Sequence, residues 1–439
     1  MPTIGAKATP DEKGQPIPTI DVPYLLVLFP VGFVQHEGRW FIDPLWAKDL
    51  AEHTRYLTRL TLVSYLLPAE RRTPQWVDMS TVPALAGVRC IAVARPRSLL
   101  HALWMLPRTW WTLRQEARSH VVVHSGFSWP IGEGWLLGTM QWFHRNFQVI
   151  LIESATWRLA PGVKSNWRQR WRAVVYERLN RYFTNRADLA LFTQKEYRDS
   201  LRTRGLERAH VIEATWIDQD WVIADAALER RTRELSDRKS GELRLMFAGR
   251  LTAAKGIEWL VDLIAGLPAD VRQRLSLDVF GDGPSREALQ EAIARHGLQE
   301  RVTLCGSVAY GAPFLAALAA HDMLVVPSLS DEQPRVVYDA YSQGVPVLAS
   351  QTPGLVQCVE HEASGWLFPP GDRDALAGLL QRLVAEPARV ADAGRRAVEL
   401  ARSRTHEQMH RRRWVLLHHA LATWPRPPAS HVRAGRPGP

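Results

Sequence analysis

The sequence predicts an α/β protein of two parallel-sheet domains, and three observations predict it. Short apolar, β-rich runs alternate with longer stretches of helical period. The alternation stops at one charged segment and restarts after it, and glycines cluster where the runs end, as in sheets that bind ligands beyond their carboxyl edge. A chain of 439 residues is too long for one ordinary core and suits two domains of roughly 150–200 residues each.

Residues 1–21 and 425–439 are rich in Pro, Gly and charge and are expected to be disordered tails. The first domain, residues 22–222, takes its strands from YLLVLF at Tyr24, LTLVSYL at Leu60, VRCIAVA at Val88, HVVVH at His120, FQVILI at Phe147 and DLALFT at Asp188. The stretch ERRTRELSDRKSGE, from Glu229 to Glu242, carries almost nothing to bury and is read as an interdomain linker spanning 223–242. The second domain, residues 243–402, takes its strands from LRLMFAG, LSLDVFG, RVTLCG, DMLVVPS and VPVLAS.

Composition narrows the setting. The 46% apolar fraction is that of a globular protein, and the net charge of +10 suits anionic lipid, nucleic acid or phosphate-bearing partners. Cys90, Cys305 and Cys358 lie far apart without metal-ligand spacing, which points to a reducing compartment. No signal-peptide core opens the chain, and no apolar run reaches the ~18–20 residues of a membrane span; Val22 to Gln35 is too short and holds Pro30 and Gly32. The expected location is the cytoplasm, with contact at the inner face of the membrane.

Three constellations carry chemistry. In FAGRLTAAKG, 247–256, a strand ends at Gly249 and Arg250 and Lys255 follow on a loop before a helix. Unpaired helix N–H groups and two fixed cations at one point suit a diphosphate, although a solvated loop needs the same residues. In FGDGP, 280–284, Gly281 and Gly283 allow backbone to approach a ligand or simply turn from strand to helix. In PSLSDEQPRVVYDAYSQGVPVLAS, 327–350, Asp331 and Asp339 stand eight apart, with Glu332, Arg335 and Val336 between them. Each carboxylate offers two acceptor oxygens for sugar hydroxyls, while Asp331 and Glu332 also suit the start of a helix as plain charges.

Taken together and in this order, these motifs resemble the retaining glycosyltransferases of family 4, and the likeness runs from Leu243 to about Leu383, through GLQERVTLCGSV and EASGWLFPPGDRDALAGLL. The resemblance implies a GT-B architecture, two Rossmann-like domains facing an interdomain cleft. The second domain would bind a nucleoside-diphosphate sugar, in UDP or GDP form, as co-substrate. Anomeric configuration would be retained, with no metal and no cofactor. By the resemblance, Arg250 and Lys255 hold the donor diphosphate, Asp331 the sugar, with Glu332 as substitute, and Asp339 the ribose. Gly344 and Pro346 fall in register behind the acidic motif. Departures are that both acids are Asp rather than Glu, Glu332 stands for a Gly, and Pro334 for another Gly, removing one N–H. The sugar pocket is therefore expected to differ from the common one. A GT-B epimerase and a non-catalytic sugar-nucleotide-binding protein are the alternatives.

The first domain resembles the family only in outline. FPVGFVQHEG replaces the usual Gly-Gly loop, with Gly32, His36 and Gly38 as acceptor-side candidates. Glu153, in VILIESATWR, takes the place where relatives carry a His facing the reacting centre; it would orient or deprotonate an acceptor hydroxyl, or else cap a helix or pair with Arg158. His124, in VVVHSG, is the second strand-end candidate. Lys48 is expected to lie far from the donor site.

Of 18 tryptophans only Trp259, Trp366, Trp414 and Trp424 follow residue 242. KSNWRQRWRAVVYERLNRYF, residues 164–183, mixes Trp and Tyr with five Arg on an expected helix, which suits either an anionic membrane surface or an ordinary basic helix. A lipid-linked or free sugar is therefore the expected acceptor, and no nucleic-acid module is visible. HEQMH, from His406 to His410, has the spacing of a zinc peptidase, but no Asp or Glu follows Glu407 to complete it. The helix that carries it, 403–424, resembles the segment that returns to the first domain in GT-B proteins.

Overall fold

The computed structural model describes residues 17–29, 31–127, 132–159, 165–238, 241–329 and 334–425. Two parallel sheets dominate it. The first runs, across the sheet, Ala209–Val211, Leu189–Phe192, Phe147–Ile152, Val122–Ser125, Tyr24–Val27, Leu60–Leu66 and Arg89–Ala94. The second runs Val302–Gly306, Leu275–Phe280, Leu243–Ala248, Met323–Val326, Val347–Ser350 and Gly365–Phe368. Both are doubly wound: the first and fourth strands in chain order are neighbours, Tyr24–Val27 beside Val122–Ser125 and Leu243–Ala248 beside Met323–Val326.

Strands covered on both faces read as continuous apolar runs, which is why the sequence locates them. All six residues of Phe147–Ile152 are buried. Successive residues feed opposite cores: Tyr24 and Leu26 pack in one cluster, Leu25 and Val27 in another. In the second sheet Leu245 and Phe247 share one face and Met246 the other.

Two departures from the sequence reading stand out. A hairpin, Val34–His36 with Arg39–Ile42, extended by Val77–Asp78, occupies the region expected to be an acceptor-side loop. Glu37 and Gly38 at its tip both have positive φ, 50° and 75°, as a tight two-residue turn requires. His36 and Gly38 therefore belong to the turn and its strand. Second, the residues expected to form a linker contain a packed helix, Asp225–Ser236. Leu228, Thr232 and Leu235 form its buried stripe, and Arg231 donates from Nη1 to Ala319 O at 2.7 Å, from Nε to Gly344 O at 3.2 Å and from Nη2 to His321 O. The helix is part of the second domain; charge on its outer face hid the stripe.

The chain crosses between domains twice. Ile212 lies in a first-domain core and Ile217 in a second-domain core. Ala401 belongs to the second and Met409, Leu417 and Trp424 to the first. Each such buried apolar side chain contributes roughly 1.5–3 kcal/mol, so the helix His406–Ala422 is held firmly to the first domain. The domains also touch directly. Gln357 accepts from Lys195 N at 2.8 Å and donates to Thr193 O at 3.0 Å, and Arg404 reaches Glu213 and the Tyr338 hydroxyl.

Candidate functional site

The strand Leu243–Ala248 delivers a loop whose shape is set by glycine. Gly249 N donates to Phe280 O at 3.0 Å and Leu251 N to Asp282 O at 3.0 Å. A Cβ on Gly281 would stand 1.9 Å from Gly249 O, and one on Gly283 would stand 2.3 Å from Leu251 O. Their φ values, 134° and 158°, also lie where side chains are disfavoured. The space these glycines leave is thus filled by the chain itself, which locks the two loops together. A 3₁₀ turn, Ala253–Lys255, follows, and Gly256, at φ 73°, opens the helix Ile257–Gly266. Here a Cβ would meet Pro327 O at 2.0 Å. Leu329 N donates to Ala254 O at 2.9 Å, so the loop bearing exposed Arg250 and half-buried Lys255 is joined to the segment that follows Met323–Val326. That junction is the switch point of the second sheet.

Asp331 and Glu332 lie outside the described residues. Asp339 does not. It is 3% exposed, and Tyr310 Oη donates to its Oδ1 at 2.8 Å. Burial pushes its carboxyl up to about 7; the Tyr310 hydrogen bond, Arg335 and Lys48 pull the other way. Gly249, Gly281, Val336 and Asp339 line one open cleft of about 270 Å³, over the carboxyl ends of three strands, with Tyr310 beside them. Tyr310 is absent from the sequence reading, although its position just beyond the strand Val302–Gly306 is the signal that marks the others.

Lys48 is not remote. Its ammonium is 2.7 Å from Asp218 Oδ2, lies 4.4 Å from the centre of the Trp221 ring and acts on Asp339. The expectation that it is a distant residue is overturned, because the helix Pro44–Thr54 places it against Asp218 and Trp221, just past the crossing into the second domain.

On the first-domain side, Glu153 and His124 open on a common cavity of about 170 Å³ with Asp49, His53, Glu133 and Arg413. Glu153 is not the partner of Arg158, which binds Glu177 and Glu196 instead. It lies 4.0 Å from Arg335 of the second domain, whose guanidinium also sits 5.2 Å over the Trp216 ring. His124 Nδ1 is 2.8 Å from the Tyr24 hydroxyl, while its Nε2 has no hydrogen-bond partner among the described residues. Burial holds its pKa well below the ordinary histidine range, so the ring is neutral. Arg250 and Lys255 are in neither cavity lining.

The basic aromatic segment forms the helix Trp167–Arg186, capped by Asn166 and Gln169. Trp167 and Trp171 are 72% and 65% exposed, so the aromatics on its first two turns do not enter the core. On the helix Leu99–Ser119, Leu100, Trp104 and Trp111 are exposed as well. Among the described residues no helix is long and apolar enough to cross a membrane.

Comparison with known proteins gives this geometry a family context. Residues 242–386 match the family model described as Glycosyl transferases group 1. Over 213 residues the chain is 28% identical to the alpha-D-kanosaminyltransferase of Streptomyces kanamyceticus, covering 47% of this chain and 54% of that protein. It is 36% identical over 170 residues to D-inositol 3-phosphate glycosyltransferase 2 of Catenulispora acidiphila, covering 36% and 38% respectively. The chain thus spans about half or less of the curated relatives it matches here. Among solved structures, Anabaena HepE in complex with UDP superposes with a TM-score of 0.63 at 18% identity, over 92% of this chain and 100% of that one. The sucrose-phosphate synthase of Thermosynechococcus elongatus superposes with a TM-score of 0.66 at 20% identity, over the same shares. The fold is GT-B.

Proposed function

We propose that this GT-B chain is a glycosyltransferase that moves a sugar from a UDP sugar, held by the second domain, to a hydroxyl of an acceptor held by the first. The observation that carries the reading is the cleft at the carboxyl edge of the second sheet, lined by Gly249, Gly281, Val336 and Asp339, within the segment that matches Glycosyl transferases group 1. The likeness to HepE, solved with UDP and with UDP-glucose, supports uridine as the base. Arg250 and Lys255 face the diphosphate, Asp331 or Glu332 the sugar, and Asp339 the ribose.

In the reaction the bond from the anomeric carbon to the diphosphate oxygen breaks and a bond to the acceptor oxygen forms. The acceptor proton passes to the departing phosphate, with retention and without metal. The diphosphate gains negative charge as the sugar leaves, so preorganised cations act most strongly in the transition state. Glu153, 4.0 Å from Arg335, is the carboxylate at the domain boundary that orients the acceptor. Glu153→Gln is accordingly expected to lower kcat by about 10²-fold or more while donor affinity stays the same. Unchanged turnover in a folded Glu153→Gln protein would return this residue to a structural role.

Polysaccharide, lipopolysaccharide core or lipid-linked acceptors fit the basic, aromatic outer face of the first domain. At low salt the protein is expected to co-sediment with vesicles containing anionic lipid and to be released at high salt, because surface attraction is screened within about 10 Å at 0.1 M. A Trp167→Ser, Trp171→Ser variant is expected to bind the vesicles less. Equal recovery on neutral and anionic vesicles would remove an electrostatic membrane contact from the account.

A further inference from the structure

The helix His406–Ala422 carries the unused HEQMH motif, and it packs on Pro44–Thr54 at the other end of the chain. Each helix presents two chemistry-bearing residues four apart, hence on one face: Asp49 and His53, and His406 and His410. The missing third ligand of the motif is supplied from sequence positions more than 350 residues away. One ligand atom from each of Asp49, His53 and His410 lies within 4.8 Å of the others, and all three residues are buried.

We propose that Asp49, His53 and His410, with His406 packed beside them, form a zinc-type divalent metal site that staples the C-terminal helix to the first domain. Bonds of ~2.0–2.1 Å in a tetrahedral set put neighbouring ligand atoms ~3.3 Å apart. Asp49 Oδ1 lies 3.0 Å from His410 Nε2 and 3.5 Å from His406 Nε2, either side of that spacing. The second of these is long for a hydrogen bond. His406 is fully buried beside this cluster, and apart from the long contact of its Nε2 to Asp49 Oδ1 its ring nitrogens have no partner among the described residues. Trp216 stacks on the His406 ring at 5.3 Å and fixes its plane.

Two of the histidines also have second partners. The Tyr56 hydroxyl is 3.3 Å from His410 Nδ1, leaving Nε2 for the metal, and His53 Nδ1 is 2.9 Å from Asp49 O, so that its Nε2 is the other available donor. Arg413 Nη1, 3.5 Å from Asp49 Oδ1, contacts the ligating carboxylate. Imidazole nitrogens with one carboxylate suit zinc, cobalt or nickel rather than calcium or magnesium. The site is structural and not that of a peptidase, because Glu407, the base of the motif, is turned to Arg55 at 3.9 Å and half exposed.

The test uses the untagged full chain, freed of metal by a chelator and titrated with Co²⁺. The expected result is a visible tetrahedral Co²⁺ spectrum saturating at one equivalent, lost on adding Zn²⁺, with Zn²⁺ raising Tm. Tyr56→Phe is expected to weaken Co²⁺ binding about 10–100-fold, and Glu407→Gln to leave it unchanged. No visible band in the wild-type chain, with Tm the same in Zn²⁺ and in chelator, would mean that Arg413 alone neutralises Asp49 and would overturn the proposal. So would a band of full intensity in a folded Asp49→Asn, His410→Gln variant, which would place the metal elsewhere.

Discussion

A folded Lys255→Ala protein is expected to lose on the order of 10²–10³ in kcat and to bind the donor more weakly; Arg250→Ala is expected to behave similarly. Both cations lie where the Leu243–Ala248 strand hands the chain to Ile257–Gly266, on a loop held by backbone hydrogen bonds and by Gly281 and Gly283. The loop is therefore preorganised by its backbone. In the ground state the cations would meet a diphosphate that is already charged. As the sugar departs, the phosphate gains charge and the same contacts strengthen, so kcat falls as well as affinity. Stability should change by at most about 1 kcal/mol, the scale of surface charge interactions. Circular dichroism and transfer kinetics on the purified variants check this, with Arg295→Ala, exposed on the helix Arg286–Arg295, as the control in place of Lys48. Wild-type turnover in a folded double variant would remove this loop from the donor site.

Asp339→Asn is expected to separate stability from function. Its folded pKa of about 7 lies above the ordinary 3.8, raised by burial, so the fold binds this proton more tightly than the unfolded chain does. Ionising Asp339 in the free protein therefore costs stability. The cost grows as pH rises from near 4 to near 7 and is constant above that. At about 1.36 kcal/mol per pH unit its ceiling is on the order of 4 kcal/mol. Asparagine keeps the acceptor for the Tyr310 hydroxyl and removes the buried charge, so Tm should rise at pH 8, with the gain vanishing toward pH 4. Donor affinity should fall about 10–100-fold, the scale of a hydrogen bond to a charged group. In the wild-type protein donor binding should weaken as pH falls through 7, and the variant should show no such step. Melting curves and donor titrations across pH 5–9 decide it: a variant with wild-type affinity and the wild-type pH step would exclude Asp339 from the site.

What the sequence makes legible follows from how local each signal is. Parallel strands buried on both faces are unbroken apolar runs, so Phe147–Ile152 and Leu243–Ala248 announce themselves, and so does the order of Gly249, Arg250 and Lys255 after the second of these. The helix Asp225–Ser236 stayed hidden because three buried positions, Leu228, Thr232 and Leu235, are outnumbered by charges on its outer turns. The hairpin at Glu37 stayed hidden because a non-glycine residue at φ 50° is an uncommon turn choice. Contacts between distant parts of the chain have no local signature at all. Lys48 near Asp339, Glu153 near Arg335 and Asp49 under His410 each join distant parts of the chain. Among the described residues the chain crosses between the domains near residues 212–217 and 401–409, which helps to bring them together.

The central claim is that the second domain's cleft holds a nucleotide sugar. Calorimetric titration of the wild-type chain and of the Arg250→Ala, Lys255→Ala variant with UDP sugars and with free UDP tests it most directly. The account predicts one site per wild-type chain for at least one UDP sugar, competed by UDP. It also predicts a donor affinity at least about 10-fold weaker in the folded double variant, from the loss of charged hydrogen bonds worth about 1.5–3 kcal/mol each. No binding of UDP or of any UDP sugar to the wild-type chain, or equal affinity in the two proteins, would contradict it.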